Sequence, residues 1–181
     1  MCKCSISGLA VVGLLTVSFA ASGAAQQGPP KPAPEMSQLA YMEGTWTCDG
    51  KMNDIGMGPA GPMKSTAVIR KDLGGFFQTG TIKGTMANQP PFEGRFNLTY
   101  DPGMKQFVMM WADNMGGWSQ STSTGWKGDT IVYEGDSHMA GQTMKGRDTF
   151  TKSSPTVMKH TWEMEMKGKW TPAGEETCTK K

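Results

Sequence analysis

After Gly44 the chain alternates apolar and polar side chains with a period of two, and this limits what it can fold into. Trp46, Cys48 and Met52 alternate with Thr45, Thr47 and Lys51. Phe96, Leu98 and Tyr100 alternate with Arg95, Asn97 and Thr99. Phe107, Met109 and Trp111 alternate with Gln106, Val108 and Met110, and Ile131 and Tyr133 share one face. Met158, His160, Trp162, Met164 and Met166 alternate with Lys159, Thr161, Glu163 and Glu165. Successive strand side chains point to opposite faces, so such runs are strands with one face buried. Turn signals separate them at Gly74-Gly75, Asp101-Pro102-Gly103, Gly116-Gly117, Lys127-Gly128-Asp129, Lys167-Gly168 and Pro172-Ala173-Gly174.

About ten strands are expected, near 45–53, 63–72, 75–84, 92–101, 105–113, 118–126, 129–136, 143–152, 155–166 and 169–180. No helical stretch falls between them. Antiparallel meander connections follow, and with them an all-β sandwich or barrel. A short helix is expected just before the first strand. Pro34 suits a first helical position, Met36, Leu39 and Met42 space one apolar stripe, and Gly44 stops it.

The first 25 residues have the order of a secretory signal. Lys3 supplies positive charge, an apolar stretch runs from Ile6 to about Ala21, and the small residues Ala21-Ser22-Gly23-Ala24-Ala25 follow. The expected organisation is a signal peptide over 1–25, a Pro-rich linker over 26–35 and one barrel-sized domain over 36–181. A periplasmic or secreted location follows. Removing the signal removes one charged side chain, Lys3, and lowers the net charge from +2 to about +1. That balance offers no basic surface for nucleic acid or for an anionic membrane.

The opening Leu39-Ala40-Tyr41-Met42-Glu43-Gly44-Thr45-Trp46 resembles the lipocalin and wider calycin pattern, a short helix running into G-x-W. The resemblance implies structural roles for Gly44 and Trp46. Trp46 closes one end of a barrel, and a basic residue of the last strand, Lys180 or Lys181, packs on it. More of the chain is similar to exported bacterial proteins classed as domain of unknown function 1579. The matching stretches are Leu39 to Trp46, Gly61-Pro62-Met63-Lys64-Ser65-Thr66, Gly74-Gly75-Phe76-Phe77, Pro91-Phe92-Glu93-Gly94, Tyr100-Asp101-Pro102 and Trp111-Ala112-Asp113. The middle strands depart from that pattern in their methionine content, and the chain ends Thr179-Lys180-Lys181 without an arginine. The fold implied is a single antiparallel up-and-down lipocalin-like β-barrel of about ten strands with a short N-terminal helix.

A meander of even strand number that closes on itself sets its first strand antiparallel to its last. Cys48 lies on the first and Cys178 on the last. An oxidising compartment favours pairing them, and opposed antiparallel positions bring Cα atoms to about 4.5–5.5 Å. A Cys48–Cys178 disulfide stapling the seam is therefore expected.

The inward faces supply the candidate ligand site: Phe96, Leu98, Tyr100, Phe107, Met109, Trp111, Phe150, His160, Trp162 and Met164. A ten-stranded barrel is wide enough to hold a small ligand. The leading reading is an exported barrel that binds a small hydrophobic molecule. One alternative is an envelope structural or stress protein with a filled core.

Another is a copper binder, because soft thioethers hold Cu(I). Its candidate ligands are Met57 and Met63 flanking a Gly/Pro loop, Met109, Met110 and Met115, and His160 with Met164 and Met166. Met also fills irregular core gaps, and neighbours on one strand face stand about 6.7 Å apart, so one strand makes no compact site. No metal site and no cofactor are assigned.

His138 falls in an expected loop, and His160 has the parity of an inward axial haem ligand. Gly117-Trp118-Ser119-Gln120-Ser121 breaks the G-x-S-x-G elbow at its last position and sits in a strand pattern. No H-E-x-x-H, C-x-x-C or phosphate-cradling loop is present. No catalytic residue is assigned.

Overall fold

Ten strands form the described part of the chain: β1 (Gly44–Met52), β2 (Gly61–Asp72), β3 (Phe77–Met86), β4 (Phe92–Asp101), β5 (Gln106–Asp113), β6 (Trp118–Ser123), β7 (Thr130–Met139), β8 (Gln142–Ser154), β9 (Val157–Met166) and β10 (Lys169–Lys180). The computed structural model describes residues 28–56, 58–86 and 89–181. The signal-peptide reading over 1–25 lies outside them. Lys31–Lys181 form one compact unit.

Each strand pairs antiparallel with the next, and β10 returns to pair with β1, so the sheet closes into a barrel. This is the antiparallel meander expected from the alternation, closed into the barrel that the lipocalin-like resemblance implies. Closure satisfies every edge, which explains why strands with polar outer faces need no covering layer.

The seam between β1 and β10 runs in register from Trp46 opposite Lys180 to Met52 opposite Gly174. Cys48 faces Cys178 directly, and the two form a disulfide with Cα atoms 4.0 Å apart, closing a separation of 130 residues. β9 and β10 shift register between Pro172 and Gly174. Proline cannot donate to a ladder, so the irregularity falls where it removes no good hydrogen bond.

The expected helix is present as a 3-10 helix over Pro34–Met42. The residue spacing is compatible with this tighter turn. A 3-10 helix turns once per three residues and lines up positions three apart. Met36, Leu39 and Met42 are its buried residues, and that geometry sets all three on one line against the core. Its backbone is tied across one end of the barrel. Gln78 Nε2 donates to the Leu39 carbonyl, Trp126 Nε1 to that of Gln38, and Lys180 Nζ to that of Tyr41. Tyr41 Oη donates to the carbonyls of Ser154 and Val157 in the β8–β9 connection.

Trp46 is fully buried beneath this helix and donates its Nε1–H to the Met42 carbonyl at 2.8 Å. Lys180 Nζ stands 4.8 Å from the centre of its ring. The contact expected at the G-x-W position is thus made by Lys180. Lys181 instead donates its backbone N–H to the Thr45 carbonyl.

One expectation about element limits is corrected. β7 continues to Met139, so His138 is a strand residue rather than a loop residue. It pairs with Trp118 of β6, and the two rings stack with centroids 3.7 Å apart. The run Glu134-Gly-Asp-Ser-His carries no apolar alternation to mark it as strand.

Candidate functional site

A cavity of about 270 Å³ occupies the barrel interior. Its lining extends from Met42 and Trp46 at the helix-covered end to Met115 and Trp118 in and beside the β5–β6 turn at the other. Those last two side chains are 61% and 51% exposed, so the far end of the cavity meets solvent. Among the described residues, no helix is long and apolar enough to cross a membrane.

Inward-facing glycines shape the wall. A Cβ at Gly80 would overlap the ring of Phe96, one at Gly94 the ring of Trp111, and one at Gly174 the ring of Trp162. Gly80 and Gly174 stand directly opposite Phe96 and Trp162, and Gly94, opposite Asp113, lies diagonal to Trp111 on the neighbouring strand. The rings therefore lie along the wall over bare backbone instead of filling the centre. The same residues with alanine beneath them would be pushed inward.

Of the ten inward residues expected to form the site, Phe96, Met109, Trp111, Phe150, His160, Trp162 and Met164 line the cavity. Leu98, Tyr100 and Phe107 do not. Leu98 and Phe107 are buried in the core cluster with Leu39 and Met42, and Tyr100 packs against it edge-on to Phe107 at 5.1 Å. They fill the helix-covered end. The lining also includes Met52, Ile69, Ile82 and Met86, none of which entered the sequence-based set.

Of the side chains considered for copper, Met109, Met115, His160 and Met164 line the cavity, whereas Met110 and Met166 do not. Met63 stands opposite Met86 in the β2–β3 pairing, and Met57 lies outside the described residues.

A polar cluster sits in the mostly apolar wall. His160 Nε2 lies 3.0 Å from Asp148 Oδ1, and its Nδ1 lies 3.1 Å from Glu176 Oε1. Ser65 Oγ donates to the other oxygen of Glu176 at 3.3 Å. Register explains the convergence: His160 stands opposite Phe150 on β8 and opposite Glu176 on β10. The imidazole stacks on Phe150, with centroids 4.2 Å apart and planes 7° apart, and tilts against Trp162 at 5.1 Å.

Burial pushes the His160 imidazolium toward its neutral form. The hydrogen bonds and negative charges of Asp148 and Glu176 outweigh that and raise its pKa to about 9. At neutral pH the ring is therefore a cation that donates through both nitrogens. It has no lone pair left for an axial haem bond.

Asp148 and Glu176 are the site residues that sequence reading missed. Both carry the parity of residues it placed inward, two positions before Phe150 and Cys178. Glu176 also approaches the sulfurs of Cys48 and Cys178, with ligand atoms within 4.8 Å of one another. The disulfide uses both sulfurs, so this cluster offers no thiolate to a metal.

At the far end, Asp113 caps its own turn. Its Oδ1 accepts from the backbone N–H groups of Met115 and Gly117, and its Oδ2 from Trp111 Nε1 at 3.1 Å. Arg147 and Glu163 form an ion pair at 2.7 Å, and the guanidinium lies 4.3 Å from the Trp170 ring centre.

Comparison with known proteins agrees with this architecture. No functionally curated protein matches the sequence. Among solved structures, Rv2717c from M. tuberculosis is similar, with a TM-score of 0.63 and 16% identity over 83% of this chain and 99% of that one. A designed fluorescence-activating β-barrel gives a TM-score of 0.45 and 12% identity, covering 79% of this chain and 96% of that one. The S-type phycobiliprotein lyase CPES from Guillardia theta gives 0.49 and 10%, covering 83% and 98%. At 16% identity the likeness to Rv2717c is one of fold. The family described as "Protein of unknown function (DUF1579)" matches residues 31–180. The chain therefore belongs to the DUF1579 family.

Proposed function

We propose that this protein binds a small, mostly apolar molecule inside its barrel, outside the cytoplasm. The observation that carries the reading is the cavity itself. A barrel evolved only for stability fills its interior, because each void forfeits packing contacts. Here the wall aromatics are laid over glycines around a cavity of about 270 Å³, and its mostly apolar lining carries a small set of organised charged side chains, the His160 cluster among them. That combination is characteristic of small-molecule sites. The signal-like N-terminus and the Cys48–Cys178 disulfide support a periplasmic or secreted location.

A neutral apolar fluorophore, N-phenyl-1-naphthylamine, tests the reading in a direct titration. Saturable one-to-one binding that Ile82→Trp abolishes supports it. Absence of saturable binding, or binding that survives the blocked cavity, supports the filled-core structural alternative.

A further inference from the structure

The ionisable groups around the cavity bear on what kind of apolar molecule it takes. Six charged side chains line it: Asp113, Arg147, Asp148, His160, Glu163 and Glu176. Arg147 and Glu163 neutralise each other as an ion pair. Asp113 is held by three N–H donors in its turn. What remains is one imidazole between two carboxylates, in the wall beside Phe150 and Trp162. Even with His160 fully protonated, that group has an excess of one negative charge. Including Asp113, the lining has an excess of two.

The two carboxylates are not equally available. Glu176 is almost wholly buried and shares its second oxygen with Ser65. Asp148 keeps 28% of its side-chain exposure and faces the cavity. Aromatic faces carry negative quadrupoles and attract cations, most strongly where water is excluded. Phe150 and Trp162 flank His160, and Phe96 and Trp111 lie along another part of the wall. An anion entering this interior would meet carboxylates and ring faces with no unpaired cation among the lining residues. A protonated amine would meet both with the favourable sign.

We propose that the cavity selects lipophilic ammonium compounds over carboxylic acids, with the ammonium group at Asp148 and the apolar body against Phe150, Trp162 and the cavity methionines. This rests on the ligand-binding reading above and adds the charge of the ligand to it.

Three probes of one size and different charge test it on the full mature protein by calorimetry: 4-phenylbutylamine, 4-phenylbutanol and 4-phenylbutyrate at neutral pH. The amine is expected to bind at least about tenfold more tightly than the acid, with the alcohol between them. Asp148→Asn is expected to narrow the gap between amine and acid, and circular dichroism of the variant checks that the barrel is intact. If Asp148→Asn does not fold, the dependence of amine binding on salt takes its place, and affinity should fall as salt rises. Binding of the alcohol with the acid equal to or tighter than the amine overturns the charge preference and leaves the ligand-binding reading standing. Failure of all three probes to bind overturns both.

Discussion

Phe150 and His160 stack nearly parallel, 4.2 Å apart between centroids, on adjacent strands in direct register. The stack holds the imidazole edge-on to Asp148 and Glu176, so both ring nitrogens meet a carboxylate at 3.0–3.1 Å. An imidazolium bridging two acids costs desolvation and is repaid only while it stays charged.

The His160 pKa should therefore be far above that of an ordinary histidine, at about 9. The folded state holds this proton more tightly than the unfolded chain, whose value is about 6.5. Its contribution is fully present below the unfolded value and is lost as pH rises through the folded one. The difference amounts to about 3 kcal/mol. Stability measured by urea denaturation should fall between about pH 6.5 and 9, and NMR of the ring protons should place the midpoint near the upper limit. A midpoint near 6.5 would show that the two carboxylates do not hold the ring.

Removing the ring should be worse than neutralising it. His160→Leu leaves Asp148 and Glu176 facing each other in a low-dielectric wall, and loss of one partner from a buried charge network costs about 3–5 kcal/mol. Adding Glu176→Gln and Asp148→Asn to His160→Leu should recover part of that loss in thermal melts. No recovery would mean that packing on Phe150, and not charge, sets the cost.

The seam disulfide should dominate the stability of the closed barrel. In the chain-entropy account, a cross-link spanning 130 residues is worth about 5 kcal/mol. Mass spectrometry of the unreduced protein should find Cys48 joined to Cys178, and Cys48→Ser with Cys178→Ser should lower the melting temperature by many degrees. Free thiols in the unreduced protein would contradict the structure.

At the helix-covered end, Lys180 faces both Trp46 and Tyr41, with its Nζ 4.8 and 5.6 Å from their ring centres. It also donates to the Tyr41 carbonyl at 3.0 Å. Lys180→Met keeps the apolar stem and removes the charge and the donor. It should cost about 1–2 kcal/mol, a shift of a few degrees in Tm. A cost within a few tenths of a kcal/mol would mean that the lysine only covers the tryptophan.

The strands were legible in the sequence because the side-chain period of a strand is two, with Trp46, Cys48, Leu98 and Trp162 each marking a face. Alternation alone left sandwich and barrel open, and the lipocalin-like resemblance implied the barrel. The seam follows from Cys48 lying on the first and Cys178 on the last strand of a meander that closes on itself. Alternation assigns a face and not a depth, which is why Leu98, Tyr100 and Phe107 entered the site set although they pack at the helix-covered end. Asp148 and Glu176 were hidden because an inward acid looks like a break in an apolar pattern. Only the partner strands show that both acids converge on one histidine. The 3-10 geometry was hidden because a stripe at positions 36, 39 and 42 fits either helix type over so few turns.

The ligand-binding reading depends on the interior being reachable by small apolar molecules, and the methionines report on that directly. In protein labelled with [13C]methyl-methionine, addition of N-phenyl-1-naphthylamine should shift the methyl signals of Met109, Met158 and Met164, which line the cavity. The signal of Met104, exposed in the β4–β5 turn, should stay in place. Shifts confined to Met104 and other surface methyls, or no shifts at saturating probe, would contradict a ligand-accessible barrel.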